Sequence, residues 1–398
     1  MQRLWIISEL FPPDETSTAF ILGEIANAMV QKYEVKVICG PEIYDKRKKL
    51  DTEHRFVINN DVEVLRVKGV DSDKNTLKGK AIRFAVISYQ LYQLAKQSIK
   101  KDDKVLLVTN PAPIVAMVSR LKKKIGFELN ILVHDVFPEN TASAGFKLPK
   151  PAYSALKSIF DNAYGRADQL IALGRDMKEV LEQKVSKSKN LPRVTIIENW
   201  ADLDVVSPIE KDEGDDKKSS VVLEYAGNIG RVQGLLGMLQ LMKAADNKHL
   251  SFSLWGTGVE EGRLKAFAET NGMINVKFHG AYFRSKQSDV LNSCDLALVT
   301  LTEGMYGLGV PSKTYNIMAA SKPVLFIGDA RSEIALLVKE KGIGYVFEPD
   351  EYEKIIEFLR HISTDMLPLL KKMGAKARKV AVEEYAKEII LNKFLEAI

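Results

Sequence analysis

The chain is predicted to be α/β, built as two Rossmann-like domains that face one another across a cleft. Three observations predict this. Short apolar runs alternate with stretches of helical period from end to end, the pattern of parallel strands joined by crossovers. A single polar run divides that series in two. The length, 398 residues, is long for one core and comfortable for two, at ~100–200 residues per domain.

The first series contains Leu4 to Ile7, Val35 to Ile38, Val105 to Val108, Leu129 to Val133, Gln169 to Ala172 and Val194 to Ile197. Ser207-Pro208 then opens a run through Ser220 that is rich in Asp, Glu, Lys and Ser and has almost nothing to bury. The second series is Val221 to Tyr225, Ser251 to Leu254, Val276 to His279, Leu296 to Thr300 and Pro323 to Ile327. The predicted boundaries are 1–204 for the first domain, 205–220 for a linker and 221–380 for the second domain. The helical pattern from Val380 to Ile398 is expected to cross back, with 381–398 packing on the first domain.

Composition excludes several classes. No apolar run approaches the ~20 residues of a membrane-spanning helix, and the start, Met1 to Glu9, reads as a first strand rather than a signal peptide. Cys39 and Cys294 are far apart and have no metal-ligand spacing, which fits a reducing cytosol. The net charge is +5, unevenly spread. Residues 1–200 hold 32 Lys and Arg against 24 Asp and Glu, and residues 201–398 hold 25 against 28. The basic half includes Lys46 to Lys49, Lys100-Lys101 and Lys122 to Lys124, a candidate face for anionic lipid or an anionic acceptor. The stretch Lys78 to Tyr92 joins cationic flanks to large apolar residues, so it reads either as a membrane-surface helix or as a buried crossover with basic ends.

The most informative motif is Gly309-Val310-Pro311-Ser312-Lys313, a turn feeding a helix. Pro311 suits the entrance, Ser312 is a candidate cap, and Lys313 adds a full charge to the free N–H groups of a helix start, which together make a candidate diphosphate site. Gly227-Asn228-Ile229-Gly230-Arg231-Val232-Gln233-Gly234 is a glycine-rich turn after the first strand of the second domain, where backbone can approach phosphate and Arg231 can clamp it. It lacks GxGxxG, which disfavours a dinucleotide. Gly256 and Gly258 lie in another strand-to-helix turn, where open sheets place ligands. Tyr282 follows the next strand and offers an aromatic face to a base. In the first domain His134, Asp135 and Glu139 stand at a strand end, placed to orient hydroxyls or take a proton; a structural histidine is the competing reading. The triplets Asp71-Ser72-Asp73 and Asp202-Leu203-Asp204 sit in polar connections and read as turns rather than metal sites.

Taken together, the Phe11-Pro12-Pro13 turn, His134 to Glu139, Glu198-Asn199-Trp200-Ala201-Asp202, Ala226 to Gly234 and Val310 to Lys313 resemble the retaining glycosyltransferases of family 4, and more narrowly the bacterial polysaccharide branch with amino-sugar and fucosamine transferases. The resemblance spans nearly the whole chain and implies the GT-B fold. It implies a UDP-sugar donor in the second domain, with Gly227, Asn228, Gly230, Gln233, Gly256, Gly258, Tyr282, Glu303, Val310, Pro311, Ser312 and Asn316 binding it. Arg231 and Lys313 would stabilise the departing diphosphate, without a metal or other cofactor. His134 would meet the donor sugar, with Asp135 and Glu139 near the acceptor hydroxyl. Thr16, Ser17 and Thr18 replace the family's glycine-rich acceptor loop. The acceptor implied is a saccharide on polyprenyl diphosphate, met by a cytoplasmic protein at the inner face of the membrane; no nucleic acid partner is expected. The family's paired glutamates are absent, since Leu308 and Asn316 occupy those positions. The rivals are a nucleotide-sugar 2-epimerase of the same fold, an inactive nucleotide-binding homologue, and a solute binder, which would need an export signal.

Overall fold

A computed structural model describes residues 1–42, 56–70, 77–143, 148–209 and 219–398. Among the described residues two compact units emerge: 1–142 with 148–197 and 391–398, and 198–390.

The first unit holds a parallel sheet of seven strands: β1 (Arg3–Ser8), β2 (Glu34–Cys39), β3 (Glu63–Arg66), β4 (Lys104–Val108), β5 (Glu128–Leu132), β6 (Gln169–Ala172) and β7 (Arg193–Ile196), in the order β3-β2-β1-β4-β5-β6-β7. The second holds β8 (Val221–Ala226), β9 (Leu250–Trp255), β10 (Val276–Gly280), β11 (Leu296–Thr300), β12 (Val324–Ile327) and β13 (Gly344–Phe347), in the order β10-β9-β8-β11-β12-β13. Every pairing between these strands is parallel. Central strands such as β4, β6, β11 and β12 are almost wholly buried, because crossover helices cover both faces. In each sheet the chain winds outward one way and then restarts beside its first strand. The resulting switch points, β1/β4 and β8/β11, are where an open α/β sheet binds ligands, at the carboxyl ends of its strands.

Two strands, β3 and β13, are additions to the sequence reading. β3 is an edge strand whose two apolar residues stand between Glu63 and Arg66, and β13, at an edge of the other sheet, is the apolar run Tyr345 to Phe347, absent from the series above. The tail also differs. Instead of one helix from Val380, a helix Leu367–Glu384 ends at Tyr385-Ala386, where Ala386 bridges Ala201, and a second helix runs Lys387–Ala397. Only 391–398 belong to the first unit, where Tyr33 Oη donates to the Ile398 carbonyl at 2.7 Å. Most of the run read as a linker, residues 210–218, lies outside the described residues, as do Lys46 to Lys49 and Asp71-Ser72-Asp73. Just before residues 210–218, the Ser207 and Ile209 N–H groups donate to Ser288 Oγ and Asn292 Oδ1. No helix among the described residues is long and apolar enough to cross a membrane.

Candidate functional site

In the second unit four loops leave the carboxyl ends of β8, β9, β10 and β11 side by side. The loop after β8 turns at Gly227, whose φ of 144° favours glycine. Gly227 N–H donates to Trp255 O and Ile229 N–H to Thr257 O, both at 2.9 Å, so the loops after β8 and β9 continue the ladder beyond the sheet. Gly256 and Gly258 exist for this approach: a Cβ on them would stand 1.9 Å from Gly227 O and 2.2 Å from Ile229 O. They back the β8 loop. Gly230 is likewise enclosed by the ends of Asn228 and Gln233, 2.8 and 2.6 Å from where its Cβ would be. Across the switch point, Thr302 N–H donates to Val232 O at 2.8 Å, tying the β11 loop to the β8 turn.

Lys313 points into this junction. Its stem is partly exposed, but its ammonium is covered, has no hydrogen-bond partner among the described residues, and sits 3.6 Å from the centroid of the Tyr225 ring. A Cβ on Gly227 would be 2.6 Å from Nζ. Burial pulls the ammonium down to about 7. A covered cation with a ring and a glycine turn around it and no counter-charge is a socket for an anion. The helix behind it contributes less than the sequence suggests. It runs only Lys313–Ala319, and Ser312, itself in helical conformation, makes no side-chain cap bond.

The other candidate residues of the second unit divide. Arg231 is exposed and loosely held, 3.6 Å from Glu260, free to swing. Glu303 is exposed, beside a cavity of about 50 Å³ that is too small for a sugar ring. Val310 and Pro311 form the turn into the Lys313 helix. Tyr282 stands edge-on to Trp255, which stacks on His279 at 4.1 Å, and burial pushes the Tyr282 phenol up to about 12. Asn316 does not stand free for a ribose through its carbonyl: Oδ1 accepts from Asp202 N–H at 2.8 Å. Leu308 is buried. Asp202 also pairs with Arg284, and Asp204 with Lys387, so that triplet is committed to structure. Among the described residues no group of three or more His, Cys, Asp or Glu side chains is placed to hold a metal ion.

In the first unit, Thr109 follows β4 and its Oγ1 accepts from the N–H groups of both His134 and Asp135, at 3.1 and 3.2 Å. The His134 ring meets Thr18 Oγ1 through Nδ1 at 3.3 Å, and its Nε2 is covered with no protein partner among the described residues. Burial lowers the imidazole to about 4, so it is neutral at physiological pH. Thr16 caps the helix Ser17–Met29 through Ala19 N–H, while Ser17 is exposed. Asp135 is exposed, and the protein crowded around it pushes its carboxyl up. Glu139, a candidate beside the acceptor, is held by cations. Lys184 donates to both its oxygens at 2.8 Å, Lys157 lies at 3.1 Å, and Asp161 joins the cluster. Both carboxylate oxygens are thereby engaged. Thr109 escapes the sequence reading because it looks like ordinary strand-end material until the His134 and Asp135 N–H groups are in place.

Residues 207–380 match the family model described as Glycosyl transferases group 1. Over its full length the chain is 29% identical to a probable glycosyltransferase, WbjE of Pseudomonas aeruginosa, covering 98% of it. It is 24% identical to WcaI of Escherichia coli, a putative colanic acid biosynthesis glycosyl transferase, with 98% of this chain and 97% of that one aligned. The crystal structure of Anabaena HepE in complex with UDP superposes on all of this chain and 99% of its own, with a TM-score of 0.67 at 15% identity. The fold is therefore GT-B. The second unit carries a glycosyl transferases group 1 domain, and the chain is a glycosyltransferase. The epimerase alternative draws no support from these relatives.

Proposed function

We propose that the chain is a retaining transferase of family 4 that moves an N-acetylated amino or 6-deoxyamino hexose from a UDP-sugar to a saccharide carried on polyprenyl diphosphate, in bacterial capsule or O-antigen assembly. The observation that carries this reading is the covered, unpartnered Lys313 ammonium against the Gly227 turn at the β8/β11 switch point. The UDP held by HepE and the colanic acid role in the name of WcaI agree with it.

In this reading the β-phosphate occupies the Lys313 socket and Arg231 swings from Glu260 onto the α-phosphate. The bond from the anomeric carbon to the phosphate oxygen breaks, and the acceptor oxygen bonds to the same face of that carbon. The acceptor proton passes to the leaving phosphate oxygen. Lys313 and Arg231 stabilise the charge that develops there, so no metal is needed; one such donor is worth about 3–4 kcal/mol in well-studied sites. His134 Nε2 meets a hydroxyl of the donor sugar, and Asp135 orients the acceptor, with Ser17 and Thr18 beside it. Docking at the inner face of the membrane is supported by the basic first half and by Ile82, Phe84 and Tyr89, exposed on the helix Leu77–Ser98.

The test is a product analysis. A panel of UDP-sugars is incubated with short polyprenyl-diphosphate saccharides in EDTA, and the new linkage is read by NMR. An α-linked product from an α-linked UDP-sugar is expected. Inversion at the anomeric carbon, or turnover that appears only with added metal, would overturn the mechanism.

A further inference from the structure

The first unit has a large concavity away from the candidate site residues. It has a volume of about 1000 Å³, at the upper end of the size of small-molecule sites. Its walls come from the end of the helix Pro113–Ile125, the helix Lys150–Tyr164, and the loops that lead into β6 and β7. These segments feed the amino ends of β5, β6 and β7, whereas His134 follows the carboxyl end of β5. The five residues of that strand put roughly 16 Å between the two edges, at about 3.3 Å per residue.

The lining has seven Lys and Arg side chains against two carboxylates. Both carboxylates are already matched: Asp161 by Lys184 and Lys157 at 2.6 and 2.9 Å, and Asp168 by Lys122 at 2.7 Å. That leaves Lys123, Arg166, Lys187 and Lys189 with no ion-pair partner among the described residues. Apart from Gly165 and Ala167 the remaining lining is hydroxyl and amide side chains with one aromatic face, Tyr153.

This chemistry selects among polyanions. Membrane docking calls for protruding apolar side chains, and the lining contains no large aliphatic residue. Single-stranded nucleic acid calls for a row of aromatic platforms, and there is one ring. A saccharide with charged substituents uses all that is present: hydroxyls and amides for its own hydroxyls, a tyrosine face for a ring, and unpaired cations for carboxylate or phosphate groups. We propose that this groove is an exosite that binds an acidic oligosaccharide chain. It goes beyond the donor and acceptor reading above, and its test reads binding rather than transfer.

The experiment is calorimetry on the full chain at low and high salt with four probes: an oligogalacturonate, a neutral maltooligosaccharide of equal length, an oligothymidylate of equal charge, and phosphatidylcholine vesicles containing phosphatidylglycerol. Oligogalacturonate is expected to bind best and to weaken with salt. Affinity should fall about tenfold or more, ~1.4 kcal/mol, in Lys187→Glu/Lys189→Glu, whose side chains are exposed and whose thermal response to UDP should match wild type. The charge-removing pair Lys123→Gln/Arg166→Gln should show the same loss without reversing any charge. Equal affinity for the neutral saccharide, unchanged binding in both variants, or vesicles or oligothymidylate captured through these residues in place of oligogalacturonate would each overturn the proposal.

Discussion

Lys313 and Glu139 show how a charge takes its role from its neighbours. Burial without a partner lowers Lys313 to about 7 from the 10.5 of an open lysine. Between those values the folded protein holds fewer protons than the unfolded chain, so stability rises with pH across that window and the penalty is fully present below about 7. A diphosphate oxygen beside Nζ favours the charged form, so nucleotide binding takes up a proton above pH 7 and weakens as pH rises. Glu139 has the opposite situation, with two lysines on one carboxylate. Glu139→Gln leaves Lys184, buried, with Asp161 alone, and should cost about 2 kcal/mol in a chemical denaturation curve while folded enzyme keeps most of its turnover. Asp135→Asn should do the reverse, and a Glu139→Gln enzyme of normal stability with no turnover would restore a catalytic role. The sequence shows Glu139 close to His134 and Asp135 but cannot show Lys184, 45 positions away, which is why its role was legible only in three dimensions.

At the scale of elements, the glycine turns work as a set. Gly227 makes room for the Lys313 head, and Gly256 and Gly258 allow the neighbouring loop to brace it. Gly256→Ala places a methyl on the Gly227 carbonyl at a φ of 118°, so a loss of about 2–3 kcal/mol is expected in thermal unfolding, with weaker UDP binding by the protein that remains folded. Normal UDP affinity in that variant would separate the β9 loop from the donor site. Edge position alone does not hide a strand, since β7 and β10 lie at sheet edges and are read from sequence; β3 escapes because its two apolar residues stand between Glu63 and Arg66, and β13 has an apolar run, Tyr345 to Phe347, that the series omits. The turns around Gly227 and Gly256 were equally legible, since only glycine meets their backbone demand. What they press against was not, because it depends on the register between β8 and β9.

At the scale of the molecule, each unit is a doubly wound sheet with its own switch point. The two carry different chemistry: a neutral histidine, hydroxyls and a solvent-facing carboxylate at one, a cation socket at the other. Lys313 was legible as a candidate because proline, serine and lysine at a helix start form a local pattern. Its isolation from any counter-charge, which makes it a socket, required the Tyr225 ring and the β8 loop in place. The most direct test of the account is calorimetric titration of UDP into the full chain in EDTA, at about pH 7 and about pH 9 in buffers of different ionisation enthalpy, for wild type and Lys313→Met. Wild type is expected to bind without metal, more weakly at the higher pH and with proton uptake, and Lys313→Met to bind at least about tenfold more weakly with no uptake. UDP binding of equal strength in Lys313→Met, or none in wild type without metal, would contradict it.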